Sequence, residues 1–186
     1  MNAIIPKVVG QYLAQNLGDR MSLVDETFAI QGQGLEHDRY SEGRGSWNKN
    51  NLGKRQVSVI DIGVFEEANR GLAIPFVPAD TRRNILTEGV DLASLLNVYF
   101  MIGPVLMMGR KICKPCPRPS KLSGKKDFHI AFAGIKAGIL ADVLSSGPIK
   151  THDIIVPGCF ICGRIPEKVP YGRRCLRCGT DMNPPR

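Results

Sequence analysis

Four cysteines near the C-terminus constrain this chain more than any other feature of its 186 residues. Cys159 and Cys162 are separated by two residues, as are Cys175 and Cys178, and each pair is followed by a glycine, Gly163 or Gly179. Two residues between thiols let both sulfurs of a tight turn face one ion, and the glycine lets the backbone turn back without a Cβ clash. Two such knuckles supply four thiolates in a tetrahedron, which suits zinc. Iron uses the same four-sulfur set, so the spacing admits either metal. The structural alternatives are two disulfides or four free thiols. A reducing compartment disfavours the disulfides. Four thiolates on one divalent ion leave no open position for substrate, so such a site is structural rather than catalytic.

The rest of the sequence sets the context. No basic segment followed by an apolar run opens the chain, and no run is long enough to span a membrane, so a cytoplasmic protein without a membrane partner is expected. Residues 157–186 hold Lys168 and five arginines against Glu167 and Asp181, a net +4 and half of the chain's +8. Arg164, Arg173, Arg174 and Arg177 are close enough in sequence to balance an anionic metal site. The same charge could attract nucleic acid or an acidic protein. The tail resembles a zinc ribbon, and Pro157–Gly158 mark its boundary with a larger unit over residues 1–156.

That unit reads as mainly β. Residues 1–45 break into short extended segments and turns, and Ser41–Gly53 reads as an exposed loop. Gln56–Ile62 has β-branched residues on both faces and reads as a buried strand. Val64–Gly71 has helical spacing. Thr81–Leu86 is a second strand candidate, Asp91 an N-cap for a short helix through Leu96, and Tyr99–Met108 one or two buried strands. Ile112–Lys121 reads as a loop holding Cys113 and Cys116 among three prolines. Ile135, Ile139, Leu140, Val143 and Leu144 predict a helix over 134–146, stopped by Gly147–Pro148, with a last strand over 149–156. Many strands and few short helices point to a β-barrel with peripheral helices. No dinucleotide fingerprint or phosphate-loop lysine motif is present.

Six motifs then stand in order: Gly34–Leu35–Glu36–His37–Asp38–Arg39–Tyr40, Lys54–Arg55–Gln56–Val57–Ser58, Thr81–Arg82–Arg83–Asn84–Ile85, Gly89–Val90–Asp91–Leu92, Cys113–Lys114–Pro115–Cys116 and Gly147–Pro148–Ile149. Together they resemble the MOSC domain, the C-terminal domain of molybdenum cofactor sulfurases, over roughly residues 5–156. The resemblance implies a MOSC-type β-barrel with an essential cysteine, here Cys116, that ligates the molybdenum of a molybdopterin cofactor. It implies that Arg39, Arg82, Arg83 and Asn84 bind that cofactor, with Asp38 orienting Arg39 and Lys54 and Arg55 as weaker candidates. His37 and His152 stand where the family usually has glycine. In members of this family the chemistry is reduction of N-hydroxylated small molecules, or sulfur handling in cofactor maturation.

The residues bear these roles chemically. A soft thiolate is a good molybdenum ligand and a good sulfur carrier. Lys111, Lys114 and Arg118 flank it and would favour the thiolate, and arginine grips phosphate with two parallel bonds. Read structurally instead, Cys116 would be an inert buried thiol or pair with Cys113, and Arg39 and Arg82 would pair with Asp38 and Asp80. His37, His129 and His152 have no metal-ligand spacing. Three functions follow: a molybdenum-dependent oxidoreductase fed by an electron-donor protein, since no flavin or nicotinamide motif is present; a sulfur carrier with a Cys116 persulfide, fed by a sulfur-donor protein; or a binding module whose basic tail contacts nucleic acid or protein.

Overall fold

Every residue of the strand Val57–Asp61 is buried, and that fact organises the molecule. In the computed structural model, which describes residues 5–46 and 55–157, this strand lies between a barrel interior and a layer of helices. The elements run in the order β1 (Lys7–Leu13), β2 (Ser22–Val24), β3 (Glu26–Ile30), β4 (Gly34–Leu35), β5 (Val57–Asp61), α1 (Val64–Ala68), β6 (Ile85–Glu88), β7 (Tyr99–Ile102), β8 (Val105–Ile112), α2 (Arg118–Ser123), α3 (Phe128–Ala131), β9 (Ile139–Val143), β10 (Gly147–Lys150) and β11 (Ile155–Pro157). Short 3-10 turns at Pro78–Thr81 and Gly134–Ala137 precede β6 and β9.

Eight strands form one curled sheet in the order β11-β7-β8-β9-β5-β6-β1-β2. Its ends meet. The start of β1 and Pro6 before it exchange hydrogen bonds with the stretch leading into β11: Val8 N donates to Asp153 O at 2.9 Å, His152 N to Val8 O at 2.8 Å and Ile155 N to Pro6 O at 2.9 Å. The second half of β1 pairs with β2 instead, Gln11 opposite Val24. A sheet that meets itself in this way has few open edges to protect. A second sheet, β10-β3-β4, adds Ala29, Leu35 and Ile149 to the same core.

Side chains on the inner faces, among them Val8, Val57, Val59, Ile85, Phe100, Ile102, Met107 and Ile139, fill the barrel. The outer face of β5 and β6 is also covered, because Ile60 and Leu86 pack under Phe65, Phe76, Phe128 and Phe132 from α1, α3 and the connecting loop. Phe128 and Phe132 stack at 4.7 Å between centroids, and Phe76 meets Phe128 edge-on at 5.3 Å. Such offset and edge-on pairs add about 0.5–1.5 kcal/mol each beyond burial.

This is the mainly β barrel with peripheral helices that the strand order implies, and the two strands of Tyr99–Met108 form a hairpin, Ile102 opposite Val105. Several local expectations are corrected. The helix over 134–146 is a 3-10 turn followed by β9, which pairs antiparallel with both β5 and β8. β9 is a central strand buried on both faces, so its apolar residues do not alternate, and Ile139, Leu140 and Val143 mimic helical spacing. Thr81–Leu86 is not one strand: Thr81 ends a 3-10 turn, Arg82 turns left-handed at φ 59°, and β6 begins at Ile85. Asp91 does cap the amide of Ala93 at 3.0 Å, but a run of turns follows rather than a helix. The helix at Val64 ends at Ala68, before Gly71. Arg118–Ser123, expected as loop, is helical, with Pro119 in its first turn. The closing strand is two strands, broken at His152. The tail with Cys159, Cys162, Cys175 and Cys178, and Lys54 with much of the loop before it, lie outside the described residues.

Gly138 shows how tightly β9 seats. Its φ is 82°, and a Cβ there would fall 2.2 Å from the carbonyl oxygen of Val59. Gly134 has φ 61° but open space around it. Gly138→Ala is therefore expected to cost roughly 3 kcal/mol or more, from strain and clash together, and Gly134→Ala only about 1–2 kcal/mol from its backbone. Urea unfolding of the two variants checks this; equal losses would contradict the close β9–β5 approach.

Candidate functional site

At one end of the barrel a cavity of about 260 Å³ is walled by Arg39, Tyr40, Ser46, Arg55, Ser58, Arg82, Arg83, Cys116, Arg118 and Pro119. Five arginines and a thiol thus converge from four separate stretches of chain. The turn after β4 supplies Arg39 and Tyr40, the start of β5 supplies Arg55 and Ser58, the approach to β6 supplies Arg82 and Arg83, and the loop into α2 supplies Cys116 and Arg118.

A single carboxylate organises the floor. Asp38 is completely buried and accepts bonds from Arg39 Nη1 at 3.1 Å, Asn84 Nδ2 at 3.1 Å, Tyr40 N at 3.1 Å and Ala14 N at 3.4 Å. The turn that aims it inward runs through His37, at φ 62°. His152 is likewise left-handed, at φ 76°. Histidine thus occupies two positions whose backbone favours glycine, and both turns keep their geometry. Arg39 also donates to the Met21 sulfur at 3.2 Å and to Arg82 O at 3.4 Å, and its guanidinium lies 4.7 Å from the centre of the Tyr40 ring.

The three residues Arg82–Arg83–Asn84 point three ways. The left-handed φ at Arg82 sends its guanidinium to the carbonyls of Asp19 at 2.5 Å and Leu17 at 3.2 Å. Arg83 donates to Ala137 O at 2.6 Å and Thr81 O at 3.2 Å. Asn84 turns inward: its Oδ1 accepts from Ser58 N at 3.2 Å and Ser58 Oγ at 2.7 Å, and its Nδ2 donates to Tyr12 O at 3.2 Å and Asp38. Its amide is fully committed within the protein, so Asn84 acts on the cavity by fixing Ser58 and Asp38. The expected Arg39–Asp38 pair is present, whereas Asp80 pairs with Lys125 at 2.5 Å and not with Arg82.

The charge is strongly one-sided. Burial, reinforced by the Arg39 and Arg118 charges, pushes the Arg82 pKa down to about 10. A cation with depressed proton affinity is held at a free-energy cost at neutral pH, and an anion in the cavity would relieve it. Arg118 is exposed and its guanidinium makes no hydrogen bond or ion pair among the described residues, so its donors are available to a ligand. Burial raises the Tyr40 pKa, but the Arg55 charge and hydrogen bond (3.1 Å), with help from Arg39 and Ser46, outweigh it and leave Tyr40 below its ordinary value.

Of the two cysteines before α2, Cys116 is partly exposed in the cavity wall, whereas Cys113 is fully buried against Ala137 and Leu140. Both are free thiols, so the alternative of a bond between them is not realised. Sequence reasoning brought Arg39, Arg82, Arg83 and Cys116 to one site, and it placed Arg118 beside the thiol without assigning it to a ligand. Tyr40, Ser46 and Ser58 were missed; Tyr40 and Ser58 sit within the Asp38–Arg39 and Arg55–Gln56 motifs, which could have signalled them, whereas Ser46 lies in the loop between those motifs and carries no such signal.

Comparison with known proteins supports the architecture. No protein-family model matches the sequence, and no curated protein matches it. Among solved structures, the YuaD protein from Bacillus subtilis superposes with a TM-score of 0.69 at 21% identity, covering 82% of this chain and 94% of that one. YiiM from Geobacillus stearothermophilus gives 0.64 at 15% identity over 86% of this chain and 78% of that one. YiiM from Escherichia coli gives 0.56 at 18% identity over 78% and 68%. The barrel has a MOSC-type fold. At these identities the MOSC likeness carries fold and not activity. No helix among the described residues is long and apolar enough to cross a membrane.

Tyr40 offers a direct test of the cavity's field. Ultraviolet titration of the phenolate band should show one tyrosine ionising below the ordinary value of about 10, lost in Tyr40→Phe and moved upward in Arg55→Gln. Because the folded pKa is the lower one, stability relative to Tyr40→Phe should rise with pH between the folded and unfolded values and vanish as pH falls below the folded one. A Tyr40 that titrates at or above its ordinary value would mean that burial outweighs the arginines.

Proposed function

We propose that the cavity binds a molybdopterin-type molybdenum cofactor and that the protein reduces N-hydroxylated small molecules with electrons from a partner protein. The observation that carries this reading is the convergence of one accessible soft thiol and five guanidiniums on a single cavity. The donor set suits such a group at both ends: a thiolate for the metal and a cluster of cations for the pterin phosphate. The depressed proton affinity of Arg82 marks a charge that an anionic ligand would balance. When bound, the cofactor supplies the two-electron centre needed to cleave an N–O bond, a change that balances as R2N–OH plus two electrons and two protons giving R2NH and water.

In this reading Cys116 is the metal ligand supplied by the chain. Arg82, Arg83 and Arg118 hold the phosphate, and Arg39, fixed by Asp38, backs them. Asn84 contributes by holding Ser58 and Asp38. Tyr40 and Ser46 bring hydroxyl groups to the wall. Compartment and substrate identity stay with the expectation of a cytoplasmic enzyme acting on a small molecule. The cysteine spacing within residues 157–186 suits a structural zinc or iron site.

A second reading rests on the same thiol. Cys116 is accessible while Cys113 is sealed in the core, an arrangement that would let a Cys116 persulfide persist without a neighbouring thiol to displace its sulfur. The transfer balances if a donor persulfide gives its outer sulfur to the Cys116 thiolate and leaves as a thiolate.

Metal analysis of the native protein separates the readings. About one molybdenum per chain is expected, from a single thiolate site, and Cys116→Ala should lower that content tenfold or more while folding normally. Arg118→Ala with Arg82→Lys should weaken cofactor retention with Cys116 intact. Full molybdenum content in Cys116→Ala would remove the ligand assignment. Absence of molybdenum, with sulfur added to Cys116 by a cysteine desulfurase and seen by mass spectrometry, would establish the carrier in its place.

A further inference from the structure

From Arg110 to Lys126 the chain carries seven of its 25 lysines and arginines and no acidic residue. This segment runs off the end of β8, passes Cys116 at the cavity wall and forms α2. Two of the seven have partners: Arg110 pairs with Asp142 at 3.1 Å, and Lys125 with Asp80 at 2.5 Å. The other five, Lys111, Lys114, Arg118, Lys121 and Lys126, are exposed, and their side chains make no ion pair or hydrogen bond among the described residues. Arg118 and Lys121 lie three residues apart and so share a face of α2. Between α2 and α3 the surface sinks into a shallow hollow of about 440 Å³ edged by Lys121, Lys125, Lys126 and His129, with Asp127 the acid beside them.

Concentrating unpaired like charges around a cavity mouth is unfavourable for the isolated chain, through self-repulsion. The arginines inside the cavity have a use in holding a ligand. Lys121 and Lys126 lie outside it, and that use does not account for them. We infer that the face formed by residues 118–126 docks an acidic electron-carrier protein, an iron–sulfur or flavin protein that delivers its electrons at the Cys116 cavity.

Three features favour a protein over nucleic acid. The stretch from Arg110 to Asp127 contains no aromatic residue on which bases could stack. Arg118 lines the cavity and Lys121 and Lys126 edge the hollow, so these cations border two depressions rather than following a track. Exposed apolar groups also lie beside them: Ile130 projects from α3, and Ile74 and Val77 flank Pro75 and Phe76, where Lys125 is bonded to the Pro75 carbonyl. Apolar residues within a charged rim are the usual anatomy of a protein–protein contact. Lysines on such a rim raise the association rate by long-range attraction.

The inference rests on the oxidoreductase reading for its purpose, but the docking can be measured without it. Binding of an acidic two-iron ferredoxin and of an acidic flavodoxin to the full chain is measured by calorimetry at low and raised salt. At least one should bind the wild-type protein, more weakly as salt rises. Lys121→Glu with Lys126→Glu should weaken that binding tenfold or more at low salt, and Lys150→Glu, on β10, should leave it unchanged. The glutamine pair Lys121→Gln with Lys126→Gln should give an intermediate loss, which keeps the test sound should charge reversal perturb α2. In molybdenum-loaded protein, turnover driven by dithionite should be equal in all variants, and turnover driven by the carrier should fall with binding. Carrier binding unaffected by either pair, no binding of either carrier, or binding of a single-stranded oligonucleotide through these lysines in their place would each overturn the inference. Lack of molybdenum and of dithionite-driven turnover, with the lysine-dependent binding intact, would instead overturn the reading of the cavity.

Discussion

Asp38 is the interaction on which the site depends. A carboxylate with no solvent exposure is tolerated only when its bonds are met, and here four donors meet them: the Arg39 guanidinium, the Asn84 amide and the backbone amides of Ala14 and Tyr40. Those donors come from the end of β1, the turn after β4 and the approach to β6. The carboxylate therefore ties three stretches of chain at the barrel's end and offsets one positive charge where several converge. Removing it would leave Arg39 buried without its counter-ion, and the floor of the cavity would lose both its charge balance and its alignment.

The barrel makes that tie possible. β5 and β6 run parallel, so their starts lie at the same end, and Ser58 and Asn84 meet there through side chain and backbone together. β9 adds the third wall from the other side of β5, with the Ala137 carbonyl before it receiving Arg83. The close seat of Gly138 under Val59 O fixes how near that wall stands. The positions of Arg82 and Arg83 are thus set by backbone oxygens of Asp19, Leu17, Thr81 and Ala137, which do not move independently of the barrel.

Much of this was legible in the sequence, and what was not has a physical cause. The cavity residues sit in short motifs whose residue types carry chemistry: a thiol between prolines, and arginines in pairs. The strand nature of Val57–Asp61 showed because β-branched residues fell on both faces. β9 was misread because a strand buried on both sides has no alternation, and Ile139, Leu140 and Val143 match helical spacing by coincidence. Only partners in space distinguish the two, and β5 and β8 are distant in sequence from β9. The role of Asn84 was hidden for the same reason. An amide beside two arginines looks like a ligand donor until Ser58, Tyr12 and Asp38 are seen to use all its bonds. His37 shows the reverse case: a departure from the glycine that the motif favours leaves the left-handed turn in place.

The positive charge around Cys116 is arranged in two layers with different physics. Inside, the cations are arginines whose planar forks are fixed by carbonyl oxygens, by Asp38 and, for Arg55, by the Tyr40 hydroxyl. They are rigid, partly dehydrated and effective only at contact range. Outside, apart from Arg118, they are lysines on flexible stems, hydrated and unpaired, whose field reaches roughly a Debye length of 8 Å at physiological salt. A ligand that had only to be gripped would need the first layer alone. A second layer that cannot touch the ligand acts on something that approaches from solution, and its sign selects an acidic visitor. Arg118 belongs to both, exposed at the mouth yet close enough for its charge to lower the proton affinity of Arg82. It is the point at which binding of a partner outside and of an anion within would be coupled, because each would screen the same guanidinium from the other cations.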